Sequence, residues 1–175
     1  GPFKVIANIP YYITTPIIFK LIEDDNRLTS MTLTIQKEVA ERIVAGPGSK
    51  SYGVLSLMVQ YYGDVSMLFT IPAGAFRPRP KVDSAVIRID RYEVPPVELT
   101  DPELFRTIIK SSFANRRKML SNSLRNIQPD IRTILEDAGI DPSRRPETLS
   151  MNEFASLSNT LYEKKSETED HAHRK

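Results

Sequence analysis

Four residues near the start of the chain, Asn8-Ile9-Pro10-Tyr11, could together hold a planar ring that carries an amino group. They follow a short apolar run, residues 3–7, which predicts a buried strand. In open α/β sheets, ligands bind just outside the carboxyl ends of strands. The Asn8 side chain offers an acceptor oxygen, and Pro10 stiffens the turn so that the Ile9 carbonyl can point toward a ligand. Tyr11 adds a flat π-face.

This set of groups suits chemistry at the amino group of adenine. That nitrogen is a poor nucleophile because its lone pair is delocalised into the ring. Two acceptors, the Asn8 side-chain oxygen and the Ile9 carbonyl, would favour a more pyramidal nitrogen with a freer lone pair, by preorganised dipoles rather than a strong base. The same residues could instead form a plain strand-to-helix turn with an Asn cap and a buried Tyr, because a four-residue motif is often accidental.

Strands and helices alternate around this motif, which is typical of an α/β fold with a mostly parallel sheet. Thr15 is the expected N-cap of the first helix, with Pro16 as its first residue. The predicted strands cover residues 3–7, 30–35, 65–71 and 84–90. The predicted helices cover residues 16–26, 36–45 and 52–62. Residues 46–51 predict a loop whose amides and Lys50 either contact phosphate or form a plain surface turn.

The segment between the last two strands alternates proline with cations. This pattern predicts a stiff, polyproline-like rod that displays Arg77, Arg79 and Lys81 toward a phosphate backbone. Phe76 opens the segment. In the alternative interpretation, Phe76 fills the core and the three cations are simply solvated.

The predicted domains are residues 1–94, a linker at 95–100, a helical domain at 101–162 and a disordered tail at 163–175. A helix over residues 115–125 carries three cations, of which one should bridge internally and the others should meet RNA phosphates. Ser150 and Glu153 predict a capping box, with Leu149 stapled against Phe154. The predicted RNA-binding cations of this domain are Arg116, Arg117, Lys118, Arg144 and Arg145.

Composition limits the other possibilities. The chain has 175 residues, no cysteine and two histidines, both in the terminal tail, so we expect neither disulfides nor a metal site. No apolar run reaches the roughly 20 residues of a membrane span, and a cytoplasmic protein is expected. The net charge of +2 is small, so nucleic-acid binding must come from local clustering of cations.

Several motifs in order resemble those of the ribosomal RNA adenine dimethyltransferases. Asn8-Ile9-Pro10-Tyr11 is similar to the Asn-Leu-Pro-Tyr motif of that family, and the resemblance extends from about Phe3 to Tyr162. It is strongest to the bacterial enzymes that act near the 3′ end of small-subunit rRNA. The other matching stretches are residues 36–42, 46–53, 76–86, 113–118 and 139–142.

The resemblance implies the second half of a Rossmann-like methyltransferase sheet, followed by a small all-α domain. It implies S-adenosylmethionine as cofactor, with Asn8 and Pro10 beside it, and immature 30S subunits as partner. It implies that Asn8 and Ile9 orient the amine, Pro10 fixes the turn, and Tyr11 and Phe76 stack the base. The family's Gly-rich cofactor loop should precede Phe3, and no G-x-G-x-x-G occurs in the sequence. We therefore expect the chain alone to bind the cofactor poorly and to be nearly inactive.

Two alternatives remain at this stage. One is the related large-subunit rRNA methyltransferase that confers macrolide resistance, although residues 46–50 and 76–80 favour the small-subunit type. The other is a non-catalytic RNA-binding or ribosome-assembly module. A sheet without its first strands could also pair with a second copy through its exposed edge.

Overall fold

The computed structural model describes the backbone of residues 1–24 and 26–173, and the side chains of residues 1–23 and 26–167. The chain divides into two compact units. The first, here called the sheet unit, comprises Gly1–Ala45 and Leu55–Pro96. The second, the helical unit, comprises Gly46–Val54 and Val97–Lys175. The loop that the sequence placed with the sheet therefore belongs to the helical unit.

The sheet unit contains four strands and three α-helices among its described residues. The strands are β1 (Phe3–Asn8), β2 (Leu28–Gln36), β3 (Gly63–Ile71) and β4 (Ser84–Arg91). The helices are α1 (Thr14–Asp24), α2 (Lys37–Val44) and α3 (Val54–Tyr62), and 3₁₀ turns lie at Tyr11–Ile13 and Ala73–Ala75. Each predicted strand and helix of this unit is confirmed, with shifts at the ends.

The strands lie in the order β1-β2-β4-β3. β1 and β2 are parallel, whereas β4 runs antiparallel to both β2 and β3. The first three strands of the chain therefore point the same way, and only β4 is reversed. Because of that reversal, the first residue of β4 lies beside the carboxyl ends of β1 and β2.

The core of the sheet unit lies on one face of the sheet. In the strand register, Val5 is level with Met31, and Met31 is level with Ile89. These side chains pack with Ile18 of α1 and Ile43 of α2 in one buried cluster. Side chains alternate across a strand. The intervening residues of β1, which include Ile6 and Asn8, therefore face the opposite side, where Ile6 is 86% exposed.

The helical unit holds four α-helices among its described residues. They are α4 (Pro102–Ala114), α5 (Leu120–Ser123), α6 (Ile131–Asp137) and α7 (Met151–His173), with a 3₁₀ turn at Pro146–Thr148. The buried residues of this unit include Phe105, Ile108, Leu120, Leu135 and Phe154.

Side chains cap two of these helices, α4 and α7. Asp101 accepts hydrogen bonds from the amides of Glu103 and Leu104 at the start of α4. The predicted capping box is confirmed, because Ser150 N donates to Glu153 Oε2 at 2.8 Å and Glu153 N donates to Ser150 Oγ at 3.3 Å.

A glycine closes the end of α6. Gly139 has a φ of +75°, which is costly for residues with a Cβ. Its amide donates to the Glu136 carbonyl at 2.9 Å, and the Ile140 amide donates to the Leu135 carbonyl at 2.8 Å. This pair of bonds satisfies the last carbonyls of α6 and stops the helix.

Two helix predictions are wrong. Thr15 does not cap α1, because the helix begins at Thr14, whose hydroxyl donates to the Pro10 and Tyr11 carbonyls. Residues 115–119 form a turn rather than a helix. The reason is tertiary, since the amide that follows this turn, on Leu120, donates to the Arg144 carbonyl at 2.9 Å.

The predicted disordered tail is also wrong for its described part, since α7 continues to His173. A helix that has already been nucleated and capped extends at little cost, even without apolar residues. Lys164 adds an ion pair with Asp137 at 3.4 Å. The side chains of His171 and His173 lie outside the described residues. No helix in the described ranges is long and apolar enough to cross a membrane.

The capping box predicts a pH-dependent contribution to stability. The hydrogen bond from Arg144, and secondarily those from Ser150, hold the pKa of Glu153 below its ordinary value of 4.5. A lowered folded pKa means that the contribution is complete above the unfolded pKa and lost as the pH falls through the folded one. Glu153→Gln should therefore lower the melting temperature at neutral pH, and lower it by less at an acidic pH well below 4.5. Circular dichroism melting curves would measure this.

Glu163→Gln, on an exposed part of α7, is the matched control and should have little effect at either pH. Equal destabilisation by Glu153→Gln at both pH values would show that the carboxylate charge does not stabilise this end of α7.

Candidate active site

The motif at residues 8–11 leaves the sheet at the carboxyl end of β1. Asn8 is the last residue of the strand and lies level with Thr34 of β2. The Ile9 amide donates to the Thr34 carbonyl at 3.1 Å, and the Ile9 side chain is buried in the core. The main chain directly after Asn8 is therefore hydrogen-bonded to β2, which fixes the backbone from which the Asn8 side chain extends.

A tight turn follows directly. The Pro10 carbonyl accepts hydrogen bonds from the Ile13 amide at 3.2 Å and from the Thr14 hydroxyl at 3.4 Å. In the described part of the chain no hydrogen bond engages the Ile9 carbonyl. The Asn8 side chain is exposed, and no described hydrogen bond engages its side-chain amide. Two acceptors at adjacent positions thus remain available to a ligand.

Tyr11 is anchored by its hydroxyl. This group and Ser84 Oγ lie 2.6 Å apart, and either oxygen can be the donor. Ser84 is the first residue of β4 and is fully buried. The bond therefore fixes the tyrosine against the part of the sheet where β4 begins.

Asp83, just after the proline-rich segment, hydrogen-bonds back to the start of that segment. Asp83 Oδ1 accepts from the Ala73 amide at 2.9 Å, and the Asp83 carbonyl accepts from the Lys37 amide at 3.0 Å. Between these ends the chain makes a 3₁₀ turn at Ala73–Ala75 and bends again at residues 76–78 and 81–82. The predicted stiff, polyproline-like rod is therefore wrong, because the segment turns and bends instead. Arg77, Arg79 and Lys81 are nevertheless exposed.

The motif and the proline-rich segment line one cleft of about 290 Å³. Sequence reasoning expected Phe76 near Tyr11, and both residues line this cleft. The lining residues are Asn8, Ile9, Pro10, Tyr11, Phe76, Pro78 and Pro80. A space lined by two acceptors, two aromatic rings and prolines can hold a flat molecule that carries an amino group.

The predicted cations of the helical unit have different environments. Arg116 donates to the Tyr52 carbonyl at 2.7 Å and lies over the Phe113 ring, so it makes the internal bridge that the sequence predicted. Arg144 is held by Glu153 and by the Thr148 carbonyl. Arg117, Lys118 and Arg145 are exposed like Arg116, but no described ion pair or side-chain hydrogen bond engages them.

A family model described as ribosomal RNA adenine dimethylase matches residues 1–163. The chain belongs to this dimethylase family. The ribosomal RNA small subunit methyltransferase A of Geobacillus thermodenitrificans is 49% identical over 164 residues, which cover 90% of this chain and 56% of the relative. The protein of the same name from Clostridium acetobutylicum is 48% identical over 162 residues, which cover 91% and 59%. The chain thus spans little more than half the length of these relatives.

Solved structures agree with this assignment. A dimethyladenosine transferase from Plasmodium falciparum superposes with a TM-score of 0.81 at 26% identity, over 94% of this chain and 68% of that one. The 23S rRNA methyltransferase ErmE superposes with a TM-score of 0.69 at 23% identity, over 93% of this chain and 66% of that one. The second likeness shows the fold alone. The predicted Rossmann-like α/β class of the dimethylase family is confirmed.

Sequence reasoning missed two residues that hold the dimethylase motif in place. Ser84 anchors Tyr11, and Asp83 closes the proline-rich segment. Both stood in the stretch that resembles the family, but the residues alone gave no signal for their roles. Each role depends on a partner that is distant in the sequence.

A double-mutant cycle would test the anchor of Tyr11. Tyr11→Phe should destabilise the sheet unit by about 1–2 kcal/mol, because it leaves the buried Ser84 hydroxyl without its partner. Adding Ser84→Ala should recover part of that loss, since both polar groups are then gone. Urea unfolding midpoints of the four proteins would measure the coupling. If the two effects simply add, the bond does not hold the motif.

Proposed function

We propose that this chain is the target-base part of an S-adenosylmethionine-dependent rRNA adenine N6-dimethyltransferase. Its substrate would be two adjacent adenosines near the 3′ end of small-subunit (16S) rRNA, each methylated twice during ribosome biogenesis. The observation that carries the proposal is the cleft that gathers Asn8, Ile9, Tyr11 and Phe76 around one space. The names of the small-subunit relatives support the choice of RNA.

The size of the cleft favours a single base as its occupant. Pockets for drug-sized ligands span roughly 300–1,000 Å³. A cleft of about 290 Å³ stands at the low end of that range. It suits one flat purine ring better than a whole nucleoside joined to an amino acid.

The two acceptors would act on the amino group of that base. The N6 nitrogen presents two hydrogens, one for Asn8 Oδ1 and one for the Ile9 carbonyl. Both bonds draw the nitrogen toward a pyramidal geometry and stabilise the positive charge that develops as its lone pair forms the new C–N bond. The proton then leaves N6 for solvent. After the first transfer one hydrogen remains, so one acceptor is enough to orient the second.

S-adenosylmethionine would supply an electrophilic methyl group, whose bonding electrons stay with sulfur. Asn8 and Pro10 fit the methyl end of this cofactor, because they stand exposed at the carboxyl end of β1. Asn8 would thus touch both reactants and align them.

Stacking would hold the base once it has left its helix. An enzyme that acts on a base must extrude it and receive it between flat groups. Tyr11 and Phe76 both line the cleft and can provide those groups. Arg77, Arg79 and Lys81 follow Phe76 on an exposed loop, where they would contact the RNA backbone. The partner would be the immature 30S subunit in the cytoplasm.

We further propose that residues 1–175 alone bind RNA but transfer methyl groups poorly. Dipoles stabilise a developing charge strongly only where water is excluded. Asn8 and Pro10 are solvent-exposed in this chain. The chain alone would then behave as a binding module, and the remaining part of a longer relative would have to complete the catalytic site.

Complementation tests this function. Methyl transfer from labelled S-adenosylmethionine to immature 30S subunits would be measured with this chain alone, and then with the amino-terminal part of the Geobacillus thermodenitrificans relative added. We expect transfer only after the addition. Asn8→Ala should then lower the rate about 100-fold or more, in line with the loss of one preorganised group elsewhere.

Glu163→Gln on α7 is the control and should leave the rate unchanged. If the mixture transfers methyl groups equally fast with Asn8→Ala, the Asn8 side-chain amide does not have the proposed role. If the mixture is inactive while the chain binds RNA, the non-catalytic reading replaces the enzyme reading.

Stacking by Phe76 can be tested without the cofactor. A target RNA with 2-aminopurine at the reacting position becomes brighter when that base leaves its stack. Phe76→Ala should weaken binding of the extruded base by about 1–3 kcal/mol, the usual contribution of one base stack. The increase in fluorescence should be smaller as a result. Phe76→Tyr keeps the ring and should retain it. If both variants respond like the unchanged chain, Phe76 does not hold the base.

A further inference from the structure

The turn after the dimethylase motif carries an exposed aromatic side chain that the proposed chemistry does not use. Tyr12 is 85% exposed, whereas the residue before it, Tyr11, lines the cleft. In the described part of the chain, no hydrogen bond or ring contact engages the Tyr12 side chain. A flat ring without a partner, directly after a residue of the candidate base-binding cleft, is available to a ligand.

We propose that Tyr12 stacks on a second unpaired base, the neighbour of the base that occupies the cleft. The proposal rests on the proposed function, in which the substrate is two adjacent adenosines. Because these adenosines are covalently linked, one must lie just outside the cleft while the other is inside it. Proteins hold single-stranded RNA by stacking its bases on exposed aromatic rings. Enzymes that extrude a base also contact the nucleotides that flank it.

The backbone that carries Tyr12 is fixed on both sides. The Ile13 amide donates to the Pro10 carbonyl at 3.2 Å, and the Thr14 hydroxyl donates to the Pro10 and Tyr11 carbonyls. Thr14 is 2% exposed, and Ile13 packs against the buried cluster of the sheet unit. The turn is therefore formed before any ligand arrives. Binding has to order only a side chain with two rotatable χ angles, which costs little conformational entropy.

The same turn directs the two tyrosine rings to different places. Tyr11 and Tyr12 both belong to the 3₁₀ turn, in which successive side chains diverge by about 120° because it has three residues per turn. The Tyr11 hydroxyl bonds to Ser84 at the start of β4. Tyr12 therefore points elsewhere, and it is not among the described residues that line the cleft. With Cα atoms about 3.8 Å apart, the two rings can serve neighbouring bases.

The cleft and Tyr12 offer a base different numbers of contacts. The cleft, of about 290 Å³, suits one purine ring, and it provides the rings of Tyr11 and Phe76 together with two acceptors. Tyr12 provides a single ring face. The cleft should therefore fill first, and Tyr12 should hold the base that is left outside.

Stacking on Tyr12 uses the face of the base and not its amino group. An adenine that has already been dimethylated at N6 can therefore occupy Tyr12 as readily as an unmodified one. This site would hold the first product base while the second adenosine reacts in the cleft.

The experiment measures binding of the full chain to a fluorescent hairpin that contains the two adjacent adenosines, and to the same hairpin with one of the two adenines removed. Tyr12→Ala should weaken binding of the intact hairpin about fivefold or more, the lower end of the usual contribution of one base stack. Tyr12→Phe keeps the ring and should bind like the unchanged chain. With one adenine removed, Tyr12→Ala should have no further effect, because the remaining base occupies the cleft. Phe76→Ala should still weaken binding of that hairpin.

Tyr92→Ala is the matched control, because it removes another exposed tyrosine of the sheet unit, one that follows the far end of β4. Circular dichroism would verify that each variant is folded. Equal binding of the intact hairpin by Tyr12→Ala and the unchanged chain would overturn the proposal. So would a loss of the same size for both hairpins, since the ring would then not hold the second base.

A protein contact of Tyr12 would give a different result. If Tyr12→Ala weakens binding to the amino-terminal part of the Geobacillus thermodenitrificans relative and leaves hairpin binding unchanged, the ring contacts protein and the proposal is wrong. Failure of this test leaves methyl transfer by the complemented chain intact, whereas failure of complementation leaves the Tyr12 effect on RNA binding intact.

Discussion

The hydrogen bond between Tyr11 and Ser84 joins segments 73 residues apart and holds the candidate active site together. It is possible because β4 runs against the other strands, so that the start of β4 lies where β1 and β2 end. The same reversal places the proline-rich segment, which precedes Ser84, at that edge. With all strands parallel, the chain leaving β3 would have to cross the sheet before the next strand began, and Phe76 would not lie beside Tyr11.

The alternation of side chains along β1 decides which way Asn8 points. Val5 and Ala7 pack into the buried cluster on the face that α1 and α2 cover. Asn8, one residue further on, must therefore face the other side, together with Ile6. A shift of one residue in register would bury the amide in the apolar core, where it would lack partners. The geometry of the candidate site thus depends on the register that Val5 and Met31 set between β1 and β2.

Local signals predicted much of the local structure, whereas features that depend on long-range contacts were missed. The Ser150 capping box was visible because its two partners lie three residues apart. The turn at residues 115–119 was missed because the Leu120 amide bonds to Arg144, whose position no local pattern encodes. The motif at residues 8–11 was likewise visible as a unit, whereas its meeting with Phe76 rested on resemblance to a family. The role of Ser84 depends on a distant tyrosine and had no local signal.

Two kinds of electrostatic interaction would serve the proposed function: full charges and uncharged dipoles. Water weakens them to different degrees. In the helical unit, the exposed Arg117, Lys118 and Arg145 carry full charges, and a cation at the surface attracts phosphate even in water. In the sheet unit, the Asn8 amide and Ile9 carbonyl are uncharged dipoles, whose effect on a developing charge is strongly screened by solvent. Under the proposed function, binding of RNA would therefore tolerate an open surface, but catalysis at N6 would not. The difference in charge type would thus separate RNA affinity from methyl transfer, and the proposed catalysis would additionally need water to be excluded around Asn8.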